Sequence, residues 1–111
     1  ALLSKKCIEL LQIARCSGAL TAGKSEVRES LYRGAGGLLV LASDGAPTAL
    51  HKITSLAEGM PVRAVLTSDE LGLVFGRQRL VNTLVKTGRL AERLDRELGR
   101  LAGFRTKQAV V

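Results

Sequence analysis

The segment from Gly23 to Arg28 brings together a glycine, a hydroxyl group, one carboxylate and two cations. Gly23 can open a helix, and the first backbone N–H groups beyond it then lack acceptors within the helix. Such a helix end attracts anions, phosphate groups among them. Lys24 and Arg28 add positive charge beside Ser25 and Glu26. This combination suits a ligand that carries phosphate groups.

Glu26 has two interpretations, which the sequence leaves open. If Gly23 is the N-cap, Glu26 is the third helical residue, where a carboxylate complements the helix dipole and can return to cap the backbone. The functional interpretation is an acceptor for guanine N–H donors in distorted RNA, because no cation can accept a hydrogen bond. Lys24, Arg28 and Arg33 are each explained singly as solvated helix charges. Together with the glycine they predict a surface that contacts phosphates and bases.

A second basic cluster, Arg77-Gln78-Arg79, follows Gly76, where a short helix is expected to stop. A solvated turn and one side of a binding site explain this cluster equally well. If the order of the strands brings it beside the helix that starts after Gly23, the two clusters form one basic cleft.

The charge balance of the chain favours a polyanionic partner. Seventeen Lys and Arg against ten Asp and Glu give a formal net charge of +7 in 111 residues. A small domain this basic most often binds nucleic acid, because each neutralised phosphate releases counterions. The alternatives are a solubilising charge and attraction to acidic lipid. Aromatic residues make up only 3% of the chain, which disfavours a stacking platform for single-stranded RNA and favours structured RNA.

Chemistry other than binding finds little support in the residue pattern. His51 lies in an expected amphipathic helix without an adjacent nucleophile, and turn and cap chemistry explain Asp44 and Asp69. Cys7 and Cys16 fall on opposite sides of one expected helix, roughly 13 Å apart along its axis, too far for a disulfide. Without a CxxC pair, a zinc site is not expected. We therefore predict a protein that is not an enzyme and that holds no metal and no cofactor.

Two features bear on the setting of the chain. No run approaches the roughly 18 consecutive apolar residues of a membrane span, and no signal segment opens the chain, so we expect a soluble, cytoplasmic protein. The first residue, Ala1, is not an initiator methionine, which leads us to expect a piece of a longer precursor.

The elements that position these residues follow from the apolar pattern. Residues 38–42 are apolar without alternation, which predicts a strand covered on both faces. Further strands are predicted over 62–66 and 80–85, with a weaker edge strand over 19–21. Helices are predicted from Ser4 to before Gly18, over 24–33, from Pro47 to before Gly59, over 67–75 and over 89–102. Gly103 is expected to end the last helix. This rhythm predicts an α/β fold, a three-layer α/β/α sandwich around a central mixed sheet of about four strands. We expect a single domain over 1–103 and a mobile tail over 104–111.

Several helices carry recognisable local signals. Pro47 suits a first helical position, and Thr67 and Glu70 have the spacing of a capping box. On the last helix, Arg93 and Glu97 are expected to form an i, i+4 ion pair.

The order of several motifs resembles a known family: G-K-S-E-V-R-E, then R-G-A-G-G-L-L-V-L-A-S-D, then M-P-V and a later E-L-G-L-V-F-G. Together they are similar to the ribosomal-protein-like superfamily that binds kink-turn RNA. That group includes archaeal and eukaryotic large-subunit ribosomal proteins, box C/D and spliceosomal core proteins, and small bacterial relatives of the YlxQ type, which this chain most resembles. The resemblance runs from about residue 18 to residue 101. It implies an RNA-binding domain, in some bacteria the second half of a protein that begins with a YlxR-like module.

The family's RNA-reading segment has a glycine, an asparagine–glutamate pair and a lysine. Carried over, it falls on Gly23, Ser25, Glu26 and Glu29. Ser25 replaces the asparagine and Glu29 replaces the lysine, while the glycine and Glu26 are retained. The family's second contact loop, which gives selectivity, falls on residues 76–79, where this chain is basic.

Three hypotheses of function follow. The first is an RNA-binding module, not an enzyme, that recognises structured, kink-turn-like RNA, ribosomal RNA included. The residues assigned to RNA binding are Gly23, Lys24, Ser25, Glu26, Arg28, Glu29, Arg33, Arg77, Gln78 and Arg79. The second is a protein-interaction domain in a ribosome- or transcription-associated complex without direct RNA contact. The third is the substrate-recognition appendage of an RNA-modifying enzyme, which requires a catalytic domain elsewhere in the precursor.

Overall fold

Helices and strands alternate along the chain in the computed structural model, which describes residues 2–57, 59–77 and 79–110, with side chains as far as Arg105. The helices are α1 (Leu2–Cys16), α2 (Lys24–Tyr32), α3 (Pro47–Leu56), α4 (Ser68–Phe75) and α5 (Arg89–Val110). The strands are β1 (Leu20–Ala22), β2 (Gly37–Leu41), β3 (Val62–Arg63) and β4 (Asn82–Lys86). Within these described residues no helix has the length and apolarity needed to span a membrane.

The strands pair in the order β1-β4-β2-β3, and this confirms the predicted mixed sheet of four strands. β4 runs antiparallel to both of its neighbours, while β2 and β3 are parallel. It follows that β1, β2 and β3 end at the same edge of the sheet, and β4 begins there. We call this edge the carboxyl edge, and it is where the loops that lead into α2, α3 and α4 meet.

The apolar run of β2 divides its side chains between two cores. Leu38 and Val40 pack on one face of the sheet with residues of α1, α4 and α5. Leu39 and Leu41 pack on the other face with residues of α2 and α3. All four are at most 1% exposed, and burial of each stabilises the fold by about 1.5–3 kcal/mol. The three-layer α/β/α sandwich predicted from the run is therefore confirmed.

Local signals at the helix ends are confirmed as well. Pro47 is the first residue of α3. The hydroxyl of Thr67 accepts a hydrogen bond from the Glu70 amide at 3.2 Å, and the Glu70 carboxylate accepts one from the Thr67 amide at 2.9 Å. Gly76 ends α4 in the left-handed conformation, with φ of 65°.

Two predicted strands differ in extent from the observed ones. β3 covers only Val62–Arg63 of the predicted 62–66, because its ladder with β2 includes two residue pairs. β4 begins at Asn82 rather than at residue 80. The amide of Leu80 donates to the carbonyl of Ser68 at 3.0 Å, so this residue is tied to the start of α4 instead of to the sheet.

The last helix continues through Gly103, where the sequence predicts its end. Glycine in a helix interior is less favourable than alanine by about 1 kcal/mol. Two residues later, the Arg105 guanidinium donates to both Glu70 carboxylate oxygens, at 2.9 and 2.7 Å, and to the Val65 carbonyl at 2.8 Å. These contacts hold the turn that follows the glycine. The mobility expected for 104–111 stays a prediction.

Two further expectations about helices are wrong. α1 already includes Leu2, so Ser4, where the helix was predicted to start, is a buried residue inside it. Glu97 does not pair with Arg93. Its carboxylate lies 3.4 Å from the Lys6 ammonium on α1 and 3.3 Å from the guanidinium of Arg100, the arginine on the other side of Glu97 along α5.

Candidate nucleic-acid interface

Gly23 joins β1 to α2 with a backbone that only glycine adopts readily. Its φ is +106°, and a Cβ atom added there would lie 1.9 Å from the Oε2 atom of Glu26. The carboxylate of Glu26 therefore lies directly over the glycine. The Gly23 amide donates to the carbonyl of Asn82 at 3.0 Å, which joins the helix start to the start of β4.

This hydrogen bond removes one part of the structural interpretation of Glu26, the capping of the Gly23 amide, and leaves its place in the first turn of α2, where a carboxylate complements the helix dipole. Because the Gly23 amide already has an acceptor, the carboxylate does not return to cap it, and α2 carries no side-chain cap. Glu26 is exposed and accepts no hydrogen bond from any described residue. Its carboxylate, and the amides of the first turn, remain accessible to a ligand.

A groove of about 600 Å³ runs between α2 and α3. Lys24, Arg28 and Tyr32 line one wall at successive turns of α2, and His51 and Lys52 line the other. Asn82 contributes from the first position of β4. Lys52 and Asn82 were not among the binding residues predicted from the sequence. The four-residue spacing of Thr48 and Lys52 on the polar face of α3 was the available signal for the lysine.

Arg33 and Glu29 do not belong to this groove. They form an ion pair one turn apart on α2, with the Arg33 and Glu29 side chains 76% and 63% exposed. The pair carries no net charge, so Glu29 presents no uncompensated negative charge beside Lys24 and Arg28. Arg33, which the sequence grouped with those two cations, lies at the C-cap of α2 and forms its ion pair with Glu29.

The loop that follows Gly76 is anchored at Arg79. Its Nε atom donates to the hydroxyl of Ser68 at 3.1 Å, and that hydroxyl donates to Asp44 Oδ2 at 2.9 Å. The amide of Ser68 also donates to Asp44 Oδ1, at 2.8 Å. These hydrogen bonds, from the Ser68 amide first and then its hydroxyl, with a smaller contribution from Arg79, lower the pKa of Asp44. A carboxylate that follows β2 thus holds the start of α4 and the loop before β4 together.

The guanidinium groups of Arg77 and Arg15 both lie over the ring of Phe75. The guanidinium carbon of Arg77 lies 5.6 Å from the centroid of the Phe75 ring, and that of Arg15 lies 4.9 Å from the same centroid. Arg15 also donates to the carbonyl of Val74 at 2.9 Å. Both guanidinium groups are held by cation–π contact while their side chains stay exposed. Gln78, the middle residue of the predicted cluster, lies outside the described residues.

Backbone hydrogen bonds join the segment after Arg79 to the carboxyl edge of the sheet. The carbonyl of Val81 accepts from the Ala42 amide at 2.8 Å, and that of Asn82 accepts from the Gly23 amide at 3.0 Å. The segment directly after Arg79 therefore lies between the ends of β1 and β2. Arg77 and Arg79 do not line the groove between α2 and α3, and the single basic cleft stays a prediction.

The remaining reactive groups are separate from this edge. Cys7 is buried and Cys16 is exposed, and both thiols are free, as predicted. Burial, with a smaller contribution from the Glu97 carboxylate, raises the pKa of Cys7 to about 11. No group of three or more metal-binding side chains is present among the described residues.

Fold and site define a small α/β/α sandwich with a basic surface at the carboxyl edge of its sheet. Residues 5–94 match the family described as "Ribosomal protein L7Ae/L30e/S12e/Gadd45 family", and the chain belongs to that family. Two solved structures illustrate the likeness of the fold. A protein of unknown function from Bacillus halodurans superposes with a TM-score of 0.77 at 24% identity, over 85% of this chain and 97% of its own. The Giardia lamblia 15.5kD RNA binding protein superposes with a TM-score of 0.70 at 17% identity, over 93% of this chain and 90% of its own.

Proposed function

We propose that this protein is an RNA-binding module, not an enzyme, that recognises structured, kink-turn-like RNA at the carboxyl edge of its sheet. The hydrogen bond between Gly23 and Asn82 carries the proposal, because it ties an uncapped helix start to the strand that follows the basic loop 76–79. We place it in the cytoplasm, with structured RNA, ribosomal RNA included, as its partner, and with the ribosome or the transcription machinery as the complex in which it acts.

Each residue of this edge has a distinct role in the proposal. The first-turn amides and the Ser25 hydroxyl bind phosphate or ribose oxygens. The Glu26 carboxylate accepts hydrogen bonds from guanine N–H donors in the sheared pairs of a kink-turn. Lys24 and Arg28, together with the loop 76–79, hold phosphates on either side of it.

Family membership and the name of one similar structure support the choice of ligand. The family is named for ribosomal proteins, and the Giardia protein is described as RNA-binding. The Glu29–Arg33 ion pair supports it too, since it removes the repulsion that a lone carboxylate would exert on a phosphate at this point. A serine at position 25 retains a donor and an acceptor, although with a shorter reach than asparagine.

A titration with paired RNAs tests the proposal. We expect the protein to bind a kink-turn RNA more tightly than a version whose G·A pairs are replaced, and Glu26→Gln to lower that preference roughly tenfold, as expected for about 1–3 kcal/mol of base discrimination. Lys24→Gln with Arg28→Gln weakens binding to both RNAs and flattens the salt dependence. The matched control is Glu29→Gln with Arg33→Gln, which removes an ion pair from the same helix without changing net charge. Equal, weak binding of the wild-type protein to both RNAs would reject the proposal.

The alternative is a protein-interaction domain in a ribosome- or transcription-associated complex. The exposure of two large apolar side chains, Ile13 at 55% and Leu73 at 62%, favours it. The charge reversals Arg77→Glu and Arg79→Glu separate the two proposals. Loss of RNA binding in that double variant argues against the alternative, and RNA binding that never exceeds background in the wild-type protein argues for it.

A further inference from the structure

A row of four arginines runs along the exposed side of α5. Its members are Arg89, Arg93, Arg96 and Arg100, and all four are exposed. At 100° per residue they fall within a sector of roughly 60° and extend over about 16 Å of the helix axis. The buried residues Leu94, Leu98 and Leu101 lie on the opposite side of the helix. We call these four residues the arginine row.

The positive charge of the arginine row is largely uncompensated. Arg100 lies 3.3 Å from Glu97, but Arg89, Arg93 and Arg96 have no carboxylate partner among the described residues. The acidic residues of α5 either pair with residues outside the row or have no ion pair with a described residue. Asp95 accepts a hydrogen bond from Arg63 on β3 at 2.7 Å, Glu97 also pairs with Lys6 on α1, and Glu92 is exposed without an ion pair to a described residue.

Folding alone does not favour this arrangement. Like charges at i, i+3 and i, i+4 repel on a helix surface, and the row contains three such neighbouring pairs, while Glu92, at the same spacings from Arg89 and Arg96, forms an ion pair with neither. Arg89 is the first residue of α5, where the helix dipole favours an acidic side chain over a cation. A surface that serves solubility alone is better formed from interspersed charges of both signs. A polyanionic ligand would turn each of these unfavourable features into an attractive one.

We propose that the arginine row is a second RNA-binding surface, which contacts the sugar–phosphate backbone of a double-stranded RNA segment. Guanidinium groups bind phosphate through two parallel hydrogen bonds, which a lysine ammonium cannot do. Phe104 follows Arg100 by one helical turn and is 42% exposed, and an aromatic ring beside arginines suits a nucleotide better than an acidic peptide.

The position of the row separates it from the surface described above. α5 packs with α1 and α4 on one face of the sheet, whereas the groove lies between α2 and α3 on the other. The two surfaces therefore contact different RNA segments, and one domain can hold both. This inference shares its ligand class with the proposed function but rests on different residues, so either can fail alone.

A charge-matched pair of variants tests the row. We would compare Arg93→Gln with Arg96→Gln against Lys5→Gln with Lys86→Gln, two exposed lysines outside the row, by fluorescence anisotropy with a 16-base-pair RNA duplex that contains no kink-turn. Each double variant lowers the net charge by two. We expect the row variant to weaken binding at least fivefold and to flatten the salt slope by about 2, and the control to stay within about twofold. Circular dichroism checks that both variants fold; Lys5, Arg93 and Arg96 lie in helices, where glutamine has a high propensity, and Lys86 is the exposed last residue of β4.

A capture experiment tests whether both surfaces act together. An immobilised kink-turn RNA retains a labelled duplex in the presence of wild-type protein, but neither the row variant nor Lys24→Gln with Arg28→Gln supports capture. If duplex binding depends on the row while kink-turn binding fails in every variant, the proposed function fails and the second surface stands. Equal duplex binding by the row variant and the lysine control overturns the second surface. It is overturned equally if the row variant loses affinity for polyglutamate or for anionic vesicles but not for RNA.

Discussion

The amide of Gly23 and the carbonyl of Asn82 form a 3.0 Å hydrogen bond that joins the second helix to the strand in the middle of the sheet. This bond occupies the donor that Glu26 would otherwise cap. It leaves the Glu26 carboxylate lying over the glycine and exposed to a ligand. The same bond ties the helix start to β4, the strand that the basic loop 76–79 precedes.

Replacement of Gly23 by alanine tests this arrangement directly. The substitution strains a positive φ, which costs about 1–2 kcal/mol, and the new methyl group displaces the Glu26 carboxylate. We expect a loss of stability in urea unfolding and a loss of preference for the kink-turn RNA. Gly34→Ala is the control, since Gly34 also has a positive φ, +82°, but a methyl group there meets nothing within 4 Å. If both variants keep the RNA preference, the placement of Glu26 is unimportant.

The Glu70–Arg105 ion pair predicts a pH-dependent contribution to stability. The hydrogen bond from Arg105 lowers the pKa of Glu70 below its ordinary value of 4.5. The stabilisation is therefore complete above pH 4.5 and is lost as the pH falls through the lower, folded-state pKa. We expect Glu70→Gln to reduce the free energy of unfolding by about 1–2 kcal/mol at pH 7, with a difference that shrinks at pH 3. Glutamine still fits the capping box, so the comparison isolates the ion pair.

An exposed ion pair supplies the control for that experiment. Glu29→Gln removes a partner from the Glu29–Arg33 pair, where both side chains are exposed, and is expected to change the free energy of unfolding by less than about 1 kcal/mol. If Glu70→Gln has an equally small effect at pH 7, Arg105 does not anchor α5 beyond Gly103.

The two cysteines are expected to differ sharply in reactivity. Burial raises the pKa of Cys7 to about 11, so its thiol stays protonated near neutral pH, whereas Cys16 is exposed. Iodoacetamide should modify Cys16 alone in the native protein and both cysteines after unfolding in urea. Mass spectrometry of the peptides distinguishes the two outcomes. Rapid labelling of Cys7 in the native protein would contradict the burial of this thiol between α1 and the sheet.

Ser68 links the anchored loop to the end of β2. Its hydroxyl donates to Asp44 and accepts from Arg79, so Ser68→Ala removes both hydrogen bonds while the amide contact remains. We expect the pKa of Asp44 to rise toward its ordinary value of 3.8, as measured by NMR titration, and the affinity for kink-turn RNA to fall. Thr54→Ala is the control, because that hydroxyl donates within α3, to Leu50. An unchanged pKa of Asp44 would contradict the network.

The layers of the fold were predictable because their signals are short-range or repetitive. An uninterrupted apolar run such as 38–41 must be covered on both faces, and the structure covers it with helices on each side. Thr67, Glu70 and Gly76 determine the ends of α4 through groups at most four residues apart. The Gly23 helix start and the basic loop were identified in the same way, from residue types that are close in sequence.

What the sequence by itself determined is therefore the set of elements, their caps and the basic character of the surface. Only the tertiary structure decided the long-range partners: Glu97 pairs with Lys6, 91 residues away, as well as with Arg100 on its own helix, and not with Arg93. It likewise carried α5 beyond Gly103 through an ion pair between residues 35 positions apart, and set Lys52 opposite Arg28 across the groove. The physical reason is that a hydrogen bond or an ion pair forms only when its atoms lie within a few ångströms of each other. For segments far apart in the sequence, packing decides that distance, and their separation along the chain does not reveal it.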